Sequence, residues 1–205
     1  MRFGTKELAR GMSKPSSRDW QKLVHMARYL VGNGHAEQWF EWQDKPSTIT
    51  CFTDSDWAGC RGTRKSSSGG GLRLGCHTVK TWARAQATIA TSSGEAELYA
   101  AVKGASELLG VQSLARDFGR DLGAELRVDA KATIGMVHRS GLGKLRHVEV
   151  GHLWIQQAVR TKRIAVEKVL GAENVADLMT KYLDNKTIAK HMGCMRFKFR
   201  HGRCE

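Results

Sequence analysis

The chain has 205 residues, 41% of them hydrophobic and six of them Trp, which suits one folded domain with appendages and excludes a disordered basic tail. Lys and Arg number 33 against 20 Asp and Glu, a formal net charge of +13, so the expected partner is a polyanion, nucleic acid ahead of an anionic membrane surface. No apolar run approaches the roughly 18 residues of a membrane span, the polar start does not read as a signal peptide, and five scattered Cys point to an intracellular setting, cytoplasm or nucleus, not to a secreted disulfide framework.

Residues 1–16 are polar and read as irregular. Ser16 or Ser17 can cap a helix from about Asp19 to Val31, with Trp20, Leu23, Val24 and Leu30 at helical spacing and Gly32-Asn33-Gly34 as its stop. Ala36–Gln43 is aromatic and strand-like, and Asp44–Pro46 is a turn. Thr48–Asp54 reads as a central strand. Ser66–Leu74 and Thr78–Arg84 read as two more, the first loosened by Gly69-Gly70-Gly71. A long helix follows, capped by Ser92 or Ser93, with Leu98, Val102, Ala105 and Leu109 on one face and a possible break at Gly110. Leu126–Asp129 is a short strand, Ala130–His138 a helix, Arg146–Thr161 an amphipathic helix, Ile164–Leu170 a strand and Glu173–Tyr182 a helix. Residues 183–205 hold a short helix and a basic tail. Three strands followed by alternating helices and strands imply an α/β fold, an antiparallel meander joined to parallel crossover units.

Four acids stand near element ends: Asp54, Glu97, Asp129 and Asp177. In open α/β sheets sites gather where strand ends meet helix starts. Converging carboxylates repel one another unless a cation neutralises them, and hard oxygen ligands suit Mg²⁺ or Mn²⁺. Two such ions can activate a water and stabilise the leaving oxygen of a phosphodiester. Residues 57–94 contain no acid but hold Arg61, Arg64, Lys65, Arg73, Lys80 and Arg84, bracketed by Asp54 and Asp56 on one side and Glu95 and Glu97 on the other. A single Asp at a strand end can equally be a helix cap, and a basic run a solvated hairpin.

The segments FTDSDWAGC (52–60), RKSSSGG (64–70), TWARAQATIATSSGEAELYA (81–100), RVDAKATIGM (127–136) and NVADLMTK (174–181), in this order and spacing, resemble the ribonuclease H domain that ends the Pol polyprotein of copia-type LTR retrotransposons. Residues 6–30 resemble the end of the preceding reverse transcriptase. The resemblance implies a ribonuclease H-like fold with a mixed five-stranded sheet. It implies a reverse-transcriptase remnant over 1–47, the ribonuclease H-like domain over 48–182 and a basic tail over 183–205. It implies hydrolysis of the RNA strand of RNA–DNA hybrids with two Mg²⁺ ions, Mn²⁺ being a possible substitute, and no small-molecule cofactor. By position in the motifs, Asp54 would bridge both ions, Glu97 and Asp129 would hold one each or share them, and Asp177 would complete the second site. The family more often has Asn after the acid matched by Asp129; here it is Ala130. Asp56 shares a strand face with Asp54, whereas Glu95 lies about 200° around the helix from Glu97 and reads as a solvent or capping acid.

Arg64, Lys65, Gln86 and Ser93 are the expected contacts to the hybrid, Ser93 being also a plausible N-cap. Trp57 and Trp82 read as core. The tail pattern of His191, Cys194, His201 and Cys204 has zinc-capable residue types, but its spacing favours chance. His138, His147 and His152 read as helix-surface or packing residues. Two other readings stay open: an inactive nucleic-acid-binding remnant, and a piece that functions only with a reverse transcriptase domain as partner.

Overall fold

A central strand rich in β-branched and apolar residues, Thr48–Asp56 (β2), organises the molecule. The computed structural model describes residues 1–33, 35–143 and 147–200. On one side β2 pairs antiparallel with Ser67–Leu74 (β3), which pairs antiparallel with His77–Ala85 (β4). On the other it pairs parallel with Gly123–Val128 (β5), followed by parallel Ala165–Lys168 (β6). The five-stranded order is β4-β3-β2-β5-β6. A mixed sheet follows because tight turns can join only antiparallel neighbours, while β5 and β6 are reached through helical crossovers.

Alternate residues of β2 enter different cores. Ile49 and Cys51 join Leu72, Leu98, Ala101, Ala105, Leu108 and Leu126 beneath the long helix Ser93–Asp117 (α3). Phe52 joins Val169, Val175, Ala176, Met179 and Met195 in a smaller cluster. α3 runs unbroken through Gly110 where a break is expected. Its small residues Ala100, Ala101, Gly104 and Ala105 are buried, and a Cβ on Gly104 would meet Cys51 Sγ at 3.1 Å. That close docking outweighs the roughly 1 kcal/mol helix cost of a glycine.

Several other expectations need correcting. Residues 1–16 are not irregular: Arg2–Ala9 (α1) is helical, stabilised by tertiary contact, with buried Phe3 edge-on to Tyr182 at 4.8 Å. The helix Ser17–Gly32 (α2) forms with a capping box between Ser16 and Asp19, yet none of its residues is buried, and Trp20, Leu23 and Leu30 are exposed. The aromatic stretch is a strand only over His35–Gln38 (β1). Beyond it Gln43 binds the β3–β4 turn, accepting from Cys76 N at 2.9 Å and donating to Leu74 O at 3.0 Å, so those residues follow the turn and not a ladder. Arg146–Thr161 splits into a 3₁₀ turn at Val150–His152 and the helix Trp154–Arg160 (α5), Gly151 weakening the junction; residues 144–146 lie outside the described residues. Lys131–His138 (α4) is helical as expected.

Glu173–Tyr182 is not an α-helix. It forms two 3₁₀ turns, Gly171–Glu173 and Val175–Met179, because Asn174 is fixed between them. Its side chain donates to Thr53 O at 3.0 Å and accepts from Ala176 N at 3.2 Å. The expected tail holds the helix Asn185–Cys194 (α6) and a strand, Phe197–Arg200 (β7), which pairs antiparallel with β1 in a separate two-stranded sheet. Buried His191 and exposed Cys194 are both on α6, whereas His201 and Cys204 lie outside the described residues. Trp82 is core as expected, but Trp57 is 53% exposed, anchored only by its indole N–H donating to Ala90 O at 3.1 Å. Among the described residues no helix is long and apolar enough to cross a membrane.

Candidate active site

The C-terminal halves of β2 and β5 and the first turns of α3 meet beside the 3₁₀ turn Val175–Met179. Asp54 is on β2, Asp129 follows β5, Glu97 is in the second turn of α3 and Asp177 is in the 3₁₀ turn. Carboxylate oxygens of Asp54, Asp129 and Asp177 lie within 4.8 Å of one another, Asp54 buried and the other two half-buried. Glu97, the fourth expected acid, is not in that group; it is 9% exposed and near enough for the charges of Asp54 and Asp129 to act on it. Its Oε1 accepts from Ser55 N at 3.1 Å and Ser55 Oγ at 3.0 Å, which ties α3 to β2 one residue after Asp54. Its Oε2 is buried and has no hydrogen-bond partner among the described residues.

The electrostatics follow from crowding acids in a dry corner. Burial, then the charges of Asp54 and Asp129, push the Glu97 carboxyl up to about 8 against the opposing bonds from Ser55. Burial raises Asp54 to about 6, opposed by Lys181 and Thr180. Lys181 and Thr180 are the residues that motif reading missed. The Lys181 ammonium bridges Asp54 Oδ1 at 3.0 Å and Asp177 Oδ1 at 2.9 Å, and the Thr180 hydroxyl donates to Asp54 Oδ2. Both lie inside the NVADLMTK segment, and the four-residue spacing from Asp177 to Lys181 was the available signal.

A donor set of three converging carboxylates fits a hard divalent cation. The orphaned Glu97 Oε2 fits the same reading, since a buried carboxylate oxygen without a donor is stabilised when a cation meets it.

The bracketing acids behave differently. Asp56 accepts from Ser67 N and belongs to the β2–β3 ladder. Glu95 is not a solvent acid: it is 1% exposed, accepting from Thr91 N, Thr91 Oγ, Tyr99 OH and His147 Nε2. Burial opposes its ionisation, but the hydrogen bonds outweigh it and hold the carboxyl far below the usual range. It staples the start of α3 to residue 147. Ser92 is the N-cap, its Oγ accepting from Glu95 N at 3.2 Å, which leaves Ser93 exposed on the first turn. Arg64 is exposed with φ 56°, in the loop between β2 and β3, with Lys65 half-buried beside it. Gln86 is buried; its amide donates to Ser68 Oγ at 2.9 Å and Ala96 O at 2.8 Å, while its Oε1 has no partner among the described residues.

The chain is 26% identical over 176 residues, 85% of its length, to the retrovirus-related Pol polyprotein from transposon TNT 1-94 of Nicotiana tabacum. It is 24% identical over 184 residues, 88% of its length, to that of transposon RE2 of Arabidopsis thaliana. Its homologues are retrovirus-related Pol polyproteins of transposons. The chain spans 13% of the length of each of these two polyproteins. An uncharacterized mitochondrial protein of A. thaliana is 35% identical over 97 residues, 47% of the chain and 40% of that protein. No protein-family model matches the chain. Similar solved structures include the N-terminal RNase H domain of a Mycobacterium tuberculosis protein, with 17% identity and TM-score 0.42 over 72% of the chain and 97% of that structure. Another is LC11-RNase H1, isolated from compost, in complex with an RNA/DNA hybrid, with 17% identity and TM-score 0.42 over 71% of the chain and 99% of that structure. The observed architecture is the expected α/β fold with a mixed five-stranded sheet, antiparallel on one side of β2 and parallel on the other.

Proposed function

We propose that the chain is a ribonuclease H-type endonuclease module of a retrotransposon polyprotein, hydrolysing the RNA strand of RNA–DNA hybrids with two divalent ions. The observation that carries this is the convergence of Asp54, Asp129 and Asp177. In this reading residues 48–182 form the catalytic domain, 1–47 the end of a reverse transcriptase and 183–205 a basic tail. Asp54 would hold both ions, Glu97 and Asp129 would hold one each or share them, and Asp177 would complete the second site. Mg²⁺ or Mn²⁺ bound there supplies an activated water and neutralises charge on the leaving oxygen. Ser55 fixes the Glu97 carboxylate through two hydrogen bonds to Oε1, which limits its rotamer freedom and leaves Oε2 unpartnered among the described residues.

Arg64 and Lys65 supply phosphate contacts, Ser93 adds a hydroxyl at the α3 N-terminus, and Gln86 keeps one acceptor for a 2′-hydroxyl. A reverse transcriptase domain is the expected protein partner. The test is cleavage of an end-labelled RNA–DNA hybrid with and without Mg²⁺. Asp54→Asn should lower the rate by at least about a hundredfold while hybrid affinity stays within about twofold. Unchanged cleavage in that variant overturns the assignment. Hybrid binding with no cleavage by the unaltered chain in either Mg²⁺ or Mn²⁺ instead supports the inactive remnant.

A further inference from the structure

The carboxylate cluster has two unlike edges. On the Glu97 edge a buried oxygen has no donor among the described residues. On the Asp54–Asp177 edge an ammonium is already seated, within hydrogen-bond distance of both acids. The turn enforces that seat, because Lys181 N donates to Asp177 O at 3.0 Å and so presents the two side chains together. Thr180 holds the other oxygen of Asp54, so the carboxylate cannot rotate freely to admit a new ligand. The Lys181 side chain is 40% exposed, against 1% for Asp54, so its stem leads from the buried acid to solvent.

We infer that Lys181 is a resident counter-cation of this site, holding the Asp54–Asp177 edge in the ion-free protein and withdrawing toward solvent when a divalent ion enters there. The inference rests on the reading of these acids as ion ligands. An ammonium about 3 Å from both Oδ1 atoms takes one acceptor site on each and sets a positive charge between the two acids, so a divalent ion entering there meets both competition and repulsion. The Glu97 edge carries no such competitor. The two ion positions are therefore unequal: the Glu97 side fills first, and the Asp54–Asp177 side fills only as Lys181 leaves. Lys181 is thus a positioning residue that sets the ion concentration at which the second position is occupied. Its long flexible stem suits this better than a planar Arg fork, which would hold both carboxylates more rigidly.

The experiment is a Mn²⁺ titration of the full chain followed by electron paramagnetic resonance, which counts free Mn²⁺ and needs no turnover. It is run with Lys181→Met, Lys181→Gln, Lys181→Arg and Asp54→Asn, each with thermal melting in chelator. Loss of the ammonium in Lys181→Met should lower the melting temperature without metal and tighten the weaker Mn²⁺ site by about tenfold. Lys181→Gln keeps a hydrogen-bond donor without charge, and carries the test if the Met variant does not fold. Lys181→Arg should bind Mn²⁺ no tighter than the unaltered chain. Unchanged or weakened Mn²⁺ binding in both neutral variants overturns the counter-cation role. If the unaltered chain binds two Mn²⁺ ions, and Asp54→Asn loses them, that failure leaves the ion-ligand reading intact. Absence of Mn²⁺ binding from every variant overturns both.

Discussion

Glu97 shows what a sealed corner does to a carboxyl group. Its Oε1 is matched by two donors from Ser55 and its Oε2 by none among the described residues, and burial followed by the neighbouring charges lifts it from 4.5 to about 8. An acid with a raised folded-state pKa binds more protons folded than unfolded across the interval between the two values. Stability then falls as pH rises through that interval, by up to about 1.4 kcal/mol per pH unit for one group. Asp54 acts in the same direction from 3.8 to about 6. The metal-free protein should melt at progressively lower temperature between pH 5 and pH 8. Saturating Mn²⁺ should flatten that slope, and Glu97→Gln should reduce it in the absence of metal. A metal-free melting temperature that rises over the same range would contradict the raised Glu97. At this scale the four acids were legible in the sequence because motif spacing places them at element ends. Lys181, Thr180 and Ser55 were not: the spacing to Asp177 hints at Lys181, but the bonds of Lys181 and Thr180 to Asp54 span 127 and 126 residues and that of Ser55 to Glu97 spans 42, which no local pattern encodes.

The glycines of β3 have a role the sequence did not suggest. They read as a weak point in a strand, but Gly69 faces Asp54 in the ladder and leaves room for the 3₁₀ turn that carries Asp177. A Cβ there would lie 2.6 Å from Met179 Cβ and 2.6 Å from Thr180 Cγ2. Gly69→Ala must therefore push the turn away from the sheet, with an overpacking cost of about 1–3 kcal/mol. The expected result is a lower melting temperature together with loss of hybrid cleavage, whereas Gly62→Ala, where a Cβ would meet nothing within 4 Å, should change neither. The β2–β3–β4 meander and the two crossovers were legible from periodicity and turn residues. The 3₁₀ turns at 171–179 were not, because Asn174 overrides a helical pattern by reaching Thr53 on a strand far away in sequence. The continuity of α3 through Gly110 has the same origin, tertiary docking prevailing over local propensity.

For the molecule as a whole, the net charge of +13 has a location as well as a sign. Arg2 and Lys6 of α1 and Arg10 just after it line a groove of about 790 Å³ with Lys80 and Arg84 of β4, Glu107 being the one acid among its described lining residues. Lys6 also donates to Ser67, the β3 residue paired with Asp56, so this basic face is continuous with the strand that carries Asp54. On the proposed function, a hybrid reaching the carboxylates would have this basic face beside it. Affinity should then fall roughly 40-fold between 50 and 200 mM salt for each set of three phosphate contacts, checked by fluorescence anisotropy of a labelled hybrid. Replacing Arg64 and Lys65 together should weaken binding and make it less salt-dependent; an unchanged salt slope would place the hybrid elsewhere. Composition alone made the polyanion legible. The groove was not, because α1 forms only where Phe3 finds Tyr182.

The short pairing of β1 with β7 joins residues before the sheet to residues after it, and Met195, the residue that ends α6, joins the cluster of Phe52, Val175 and Met179. The turn bearing Asp177 is therefore packed mainly by residues of this small cluster, whereas the sheet bearing Asp54 shares it through Phe52 but has its main core beneath α3. The two halves of the acid cluster belong to regions of different local stability. Under mild heating or dilute denaturant the Asp177 turn should open while the sheet persists, and amide hydrogens over 175–181 should exchange ahead of those of β2 and β3. A chain ending at 182 should show that fast exchange already at room temperature, with Asp54 and Glu97 in place and their fourth partner adrift.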